Sequence, residues 1–303
     1  MAQRAGGAIR VERGERMPDG IVIIDKPADW TSMDVCAKLR GILRERRVGH
    51  GGTLDPMATG VLPVFVGQAT KAVEFAENSR KEYVAVLRLG VATDTQDITG
   101  SVLDTRPVDA TPADIEAVFR GFTGEVEQIP PMYSALKVRG RKLYELARKG
   151  EEVARAPRTV TVYELELLGQ ESDTDYKFRC LCSKGTYIRT LCDDIGARLG
   201  CGGTLYALRR TRAGAFTEAD AVTIDAVQER GAALLRPVDT LFREYPEIRG
   251  LSPAKERRVR CGNEIRQEVA EGLYRVYGQN GEFLCLSEAR AGTLKAVKNF
   301  FTS

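Results

Sequence analysis

GHGGTLDPMATGVLPVFVGQATK, from Gly49 to Lys71, places one carboxylate, Asp55, in a glycine-rich bend five residues after the only histidine of the chain, His50. Glycines around the bend let the backbone take positive φ or lie close against a ligand, while Pro56 stiffens the position after Asp55 and removes an amide donor. Such a loop holds a carboxylate outward. An isolated Asp-Pro in a glycine-rich turn is ordinarily turn chemistry, so the meaning of Asp55 depends on what surrounds it.

Working outward, Gly20 to Ile24 reads as a buried strand, and Thr31 or Ser32 as the N-cap of a helix reaching about Arg44. Downstream, Tyr83 to Leu89 and Ser101 to Thr105 read as strands of a hairpin joined by TDTQDITG, and Thr111-Pro112 opens a helix to Phe119. Thr159 to Leu168 and Tyr176 to Cys182 alternate like strands, and a helix from about Thr186 to Leu199 ends at Gly200. This order is irregular. It predicts an α+β core with a large mixed sheet, and the absence of G-x-G-x-x-G and G-x-x-x-x-G-K-[ST] removes support for dinucleotide and P-loop folds. After about Tyr245 the pattern changes to short strands, with Gln279-Asn280-Gly281 as a hairpin turn.

At 303 residues and 43% hydrophobic content, the chain can bury a sizeable core and is expected to form two domains. No apolar stretch reaches membrane-spanning length, and the first 16 residues are polar and arginine-rich, without the apolar core of a secretory signal. A cytoplasmic protein without a membrane partner is expected. Seven scattered cysteines with no C-x-x-C suit reduced thiols, and one histidine with dispersed cysteines argues against a bound transition metal. Asp94 and Asp97 read as turn caps rather than metal ligands.

Net charge is only +3, so its distribution matters more than its size. Eight Lys/Arg against three Glu lie between Lys137 and Arg158, a local balance of +5. Concentrated positive charge suits phosphate-backbone binding, because each neutralised phosphate releases counterions. Smaller clusters at Arg44/Arg46/Arg47, Arg209/Arg210/Arg212 and Arg257/Arg258/Arg260 extend it into a discontinuous basic track.

The Gly49–Lys71 run, with Asp55 in a G-T-L-D-P loop, resembles the signature of the TruB family of tRNA pseudouridine synthases. Five further stretches resemble family blocks in family order: IIDKPADWTS (Ile23 to Ser32), KEYVAVLRLGVATDTQDITG (Lys81 to Gly100), PPMYSALKVRGRKLYELAR (Pro130 to Arg148), CSKGTYIRTLCDDIG (Cys182 to Gly196) and LRRTRAGAF (Leu208 to Phe216). One departure is Gly51, where relatives commonly carry a hydroxyl residue. The resemblance implies a pseudouridine synthase fold, α+β with a large mixed, mainly antiparallel sheet flanked by helices. It implies a catalytic domain over 17–244 with an RNA-binding insertion at about 125–158, and a small β-rich PUA-like RNA-binding module over 245–303. Residues 1–16 are expected to form a flexible tail.

The implied activity is isomerisation of the T-loop uridine at tRNA position 55, with the target nucleotide flipped out of the RNA. It needs no cofactor and no metal, and implies a monomer acting on the tRNA T-arm without a protein partner. Asp55 would act as nucleophile or as a base at the sugar; either role needs the carboxylate ionised in a site emptied of water. A buried carboxylate resists ionisation unless a cation is close, and by resemblance Arg189 is that cation. Tyr83 and Tyr187 match the aromatic residues that flank the target base, with Tyr83 a candidate to handle a proton. His50 matches the residue that fills the space left in the RNA, and Leu208 one that lines the uracil site. Lys71 is assigned to support of the loop, and Lys137, Arg139, Arg141 and Lys142 to RNA binding. Two other classes stay open: an RNA-binding or tRNA-folding protein, whose role could also accompany the chemistry, and a glycosidase. The latter would need a paired acid and nucleophile where only one loop carboxylate is evident.

Overall fold

The computed structural model describes residues 19–134, 136–138 and 140–301. The expected tail 1–16 and Arg139 therefore lie outside the described residues, and Lys137 is placed by its backbone alone. A nine-stranded sheet dominates them, its path running Gly20–Lys26, Thr59–Val66, Gly203–Ala213, Lys81–Leu89, Asp175–Cys182, Arg158–Gln170 and Gly124–Gln128. Val48–His50 pairs onto Thr59–Val66, and Phe216–Thr217 onto Gly203–Ala213. All pairings are antiparallel except that between Thr59–Val66 and Gly203–Ala213, which sets Arg209 beside Thr59 and Arg210 beside Gly60. The sheet is thus mixed and mainly antiparallel.

Helices cover the face to which Tyr83, Ala85, Leu87, Phe178, Cys180 and Leu205 point. Thr31 is the N-cap of helix Ser32–Leu43, closing a capping box with Asp34, and the helix buries Val35, Cys36, Leu39 and Leu43. Helix Pro112–Gly121 repeats the device with Thr111 and Asp114 and sets Phe119 edge-on to Phe178, ring centroids 5.7 Å apart. Helix Ile188–Leu199 comes into direct backbone contact with the Gly203–Ala213 strand, where a Cβ at Gly196 would stand 2.0 Å from the Gly203 amide nitrogen. No other residue admits that approach, which brings the N-terminal end of this helix, with Arg189, over the sheet.

The expected hairpin between Tyr83–Leu89 and Ser101–Thr105 does not form. Lys81–Leu89 is central, with both edges taken by Asp175–Cys182 and Gly203–Ala213. Gly90, at φ 83°, turns the chain away, and Val102–Thr105 pairs instead with the short strand Val91–Thr93.

The C-terminal residues build a separate five-stranded sheet in the order Glu247–Ile248, Gly272–Tyr277, Phe283–Arg290, Thr293–Asn299, Ile265–Arg266. The Gly272–Tyr277 and Phe283–Arg290 strands form the hairpin around Gln279-Asn280-Gly281. Leu286 of this sheet and Phe300, just beyond its last strand in sequence, share a buried cluster with Ile21, Ile23, Val61, Phe65 and Phe242 of the main body. All seven cysteines are free thiols. No described helix is long and apolar enough to cross a membrane.

Candidate active site

The Gly51–Ala58 loop is held from several sides. The Leu54 amide donates to Ser32 Oγ at 2.9 Å, Asp29 N donates to the Pro56 carbonyl at 2.8 Å, and Ala58 N closes a turn onto the Asp55 carbonyl at 3.1 Å. At Gly51 an added Cβ would stand 2.6 Å from Ala76 Cβ and 3.0 Å from Phe65 Cε2. This packing leaves no room for the hydroxyl residue expected from the resemblance.

Arg189 lies against Asp55. Its Nη2 donates to Asp55 Oδ1 at 3.1 Å, and its Nε sits 2.8 Å from Oδ2, an ion-pair contact whose N–H is out of line for a hydrogen bond. The same guanidinium donates through Nη1 to the Thr95 carbonyl at 3.1 Å and through Nη2 to the Tyr133 carbonyl at 3.0 Å. Nη1 is also 3.6 Å from Asp97 Oδ2. Three segments distant in sequence thus converge on one side chain. The Arg189 side chain is 4% exposed while that of Asp55 is 31% exposed. The fork is therefore sealed inside, and the carboxylate keeps an open side. The water-free setting expected for Asp55 is not supplied by the chain alone.

Tyr187 is the N-cap residue of the helix that carries Arg189, and Gln128 pins its backbone twice: Tyr187 N donates to Gln128 Oε1 at 3.0 Å and Gln128 Nε2 donates to the Tyr187 carbonyl at 3.2 Å. Burial raises the Tyr187 phenol above its ordinary value, and the charges of Arg189 and Asp55 both reach it. Tyr83 and Leu208 belong to adjacent central strands, Leu208 opposite Ala85 and Arg210 opposite Tyr83. Burial pushes the Tyr83 phenol up to about 12, partly opposed by Arg210, so it stays a protonated donor at neutral pH. His50 is half-buried at the end of its strand, and burial, helped by the Arg210 charge, holds its imidazole below the ordinary value.

The basic candidates stand apart from this centre. Arg141 is exposed and 3.5 Å from Glu151, and Lys142 Nζ donates to the Tyr144 hydroxyl at 3.3 Å. Lys71 is exposed on the 3₁₀ turn Gly67–Ala72 and makes no hydrogen bond or ion pair with the site residues among the described residues. The bonds that hold the Asp55 loop come instead from Ser32 and from the main chains of Asp29 and Ala58. Within the expected basic track, Arg44, Arg46, Arg47, Arg212, Arg257 and Arg258 are exposed. Arg210, in contrast, is fully buried and cannot belong to it.

Sequence reading missed three buried cations behind the loop. Lys26, with 0% exposure, donates from Nζ to the carbonyls of Pro27, Trp30 and Pro56 at 2.8, 2.6 and 3.0 Å. Lys81 caps the carbonyls of Ala76, Glu77 and Ser79, and Arg210 reaches those of Gly52, Thr53 and Val61. The available signal was a Lys or Arg on the inward register of an apolar strand. Asp97 does cap its turn, accepting from Thr95 and Thr99, but it also faces Arg189.

Burial lowers the Lys26 ammonium to about 8, against the pull of Asp55. Since the unfolded lysine titrates near its ordinary 10.5, the unfolded chain holds the extra proton between those values, and stability contributed by this group rises with pH there. Wild type should therefore gain stability relative to Lys26→Met as pH rises from 8 to 10. Urea unfolding midpoints of the two proteins across that range check this; parallel midpoints would refute it.

Two sequence profiles match the chain: "TruB family pseudouridylate synthase (N terminal domain)" over residues 40–188 and "tRNA pseudouridylate synthase B C-terminal domain" over residues 189–243. A Clostridium kluyveri protein named tRNA pseudouridine synthase B is 43% identical over 289 residues, 93% of this chain and 99% of that one. An Aromatoleum aromaticum protein of the same name is 46% identical over 285 residues, 92% of each chain. Among solved structures, one described as a Cbf5-Nop10-Gar1 complex is similar with TM-score 0.71 and 28% identity, covering 94% of this chain and 86% of that one. A second, an H/ACA RNP bound to a substrate RNA containing 2'-deoxyuridine, is similar with TM-score 0.70 and 26% identity over the same shares.

Proposed function

Because this chain belongs to the TruB family of pseudouridylate synthases and is thus an RNA-modifying isomerase, we propose that it converts the T-loop uridine at tRNA position 55 to pseudouridine with Asp55 as its catalytic carboxylate. The observation that carries the assignment of Asp55 is its contact with Arg189, which is buried and fixed by three further carbonyl and carboxylate partners. A guanidinium held in this way supplies a fixed cation beside the carboxylate, while the Asp55 side chain, 31% exposed, keeps one side open to an incoming substrate. The reaction breaks the N-glycosidic bond, turns the uracil and rejoins it through carbon, so atoms and electrons balance without an added reactant.

The open side of Asp55 receives the flipped nucleotide, and the incoming base and sugar displace the water there. Stacking of the base between Tyr83 and Tyr187, with Leu208 against its edge, offsets the few kcal/mol of unstacking that extraction costs. His50 is neutral at pH 7, since its imidazole lies below the ordinary value, and it fills the space the base leaves in the RNA. Lys137, Arg139, Arg141 and Lys142 hold the phosphates of the T-arm, and the C-terminal sheet acts as a PUA-like RNA-binding module. On this reading the catalytic domain spans 17–244, the PUA-like module spans 245–303, and the enzyme works as a cytoplasmic monomer.

Pseudouridine has the mass of uridine, so the test is mass mapping of an unmodified tRNA transcript that has been incubated with the purified protein and then treated with a pseudouridine-selective carbodiimide, which adds mass only at the product. Pseudouridine at the T-loop uridine is the expected result. Product at another uridine would overturn the site assignment, and no product would overturn the function.

A further inference from the structure

Arg210 is an arginine where a strand interior calls for an apolar residue. The register shift between Leu205 and Ala207 turns Leu208 and Arg210 to the covered face of the sheet, and Arg210 has 0% exposure. Its Nε donates to the Val61 carbonyl at 2.7 Å, Nη2 to Gly52 at 3.1 Å and Nη1 to Thr53 at 3.4 Å. No carboxylate among the described residues pairs with it. Burying a cation on carbonyls alone is costly, and a well-packed apolar side chain would serve stability at least as well. The cost points to a role beyond packing. Gly52 and Thr53 lead directly into Asp55, and Tyr83 stands opposite Arg210 across the strand pair.

We propose that Arg210 is a positioning residue for the isomerisation: its planar fork ties the backbone ahead of Asp55 to the Thr59–Val66 strand and to its own strand, which pairs directly beside Tyr83, so carboxylate and phenol keep one spacing while the base turns. This rests on Asp55 being the catalytic carboxylate. A lysine cannot replace it, because a compact ammonium lacks the rigid spread of donors that spans Gly52, Thr53 and Val61 together. Small displacements of a catalytic group are expensive in rate, on the order of 100-fold per ångström.

The test measures single-turnover pseudouridine formation and tRNA affinity for wild type, Arg210→Lys, Arg210→Met and Asp55→Asn, with NMR titration of the single histidine. Both Arg210 variants should lose roughly 30- to 100-fold in rate with tRNA affinity kept. The imidazole pKa of His50 should rise in Arg210→Met, which removes a nearby positive charge, and stay near wild type in Arg210→Lys. A lysine variant that keeps its charge signature yet loses rate isolates the geometry. Should Arg210→Met fail to fold, the lysine variant combined with Tyr83→Phe decides: the second loss should be smaller in the double variant than alone, and additive losses overturn the proposal. Wild-type rate in Arg210→Lys with an inactive Asp55→Asn overturns this inference only, whereas an active Asp55→Asn overturns the function assigned to Asp55.

Discussion

Asp55→Asn should abolish pseudouridine formation, with a loss of about 10,000-fold or more in single-turnover rate, the scale seen when a nucleophile or its base is removed. Asparagine keeps the shape of the side chain and can still accept from Arg189 Nη2, but it has no charge and can act neither as nucleophile nor as base. Binding of tRNA should stay near wild type, because the phosphate contacts assigned to the basic insertion do not involve Asp55. Folding should suffer little: Arg189 keeps the carbonyls of Thr95 and Tyr133 and the carboxylate of Asp97. A loss of about 1–2 kcal/mol is the expected scale for a charge-assisted hydrogen bond at a partly open site. Mass mapping of the carbodiimide-treated transcript over a time course, paired with a filter-binding measurement, reads both quantities. A variant within tenfold of wild type would remove Asp55 from the mechanism. A variant that still helps tRNA to fold would show a separate folding role.

The second large effect is expected at Arg189. Arg189→Lys keeps one positive charge but cannot reach Asp55, the Thr95 and Tyr133 carbonyls and Asp97 together, since all these partners depend on the spread of the guanidinium. The rate should fall by about 100- to 1,000-fold, the range found when one preorganised electrostatic contact is lost. Affinity for tRNA should hold. Arg189→Met should add a stability loss of about 3 kcal/mol, because Asp97, 7% exposed, is then left as a buried carboxylate without its cation. Single-turnover kinetics with urea unfolding separates the two effects. A lysine variant at wild-type rate would mean that charge alone suffices and that the fork is incidental.

Much of the architecture was legible in local signals. Thr31 and Thr111 announced helix starts through side chains that bond three residues ahead, and both do so. Gly200 closes its helix at φ 82°, and the Gln279-Asn280-Gly281 turn joins two paired strands. The hairpin proposed between Tyr83–Leu89 and Ser101–Thr105 failed for a different reason. Strand pairing is a competition among all strands, and Lys81–Leu89 is claimed on both sides by segments about ninety or more residues away in sequence. At the site, Asp55 and Arg189 could be named from their blocks, but Gln128, Lys26 and Arg210 could not. Each of these acts on main-chain carbonyls or amides of another segment, and a backbone group leaves no mark on the side-chain pattern.

What the sequence determined by itself was therefore the helices with clear caps and part of the strands, the glycine-rich bend at Asp55 and the residue types able to do its chemistry, because caps, periodicity and turn residues act within a few positions of one another; the strands Thr59–Val66 and Gly203–Ala213 emerged only in the structure. Only the tertiary structure decided which face Arg210 took, how closely Gly196 let the Arg189 helix approach the sheet, and that Asp55 kept an open side. Those depend on packing between segments far apart in the chain, where a one-residue shift in register sends a side chain to the opposite face.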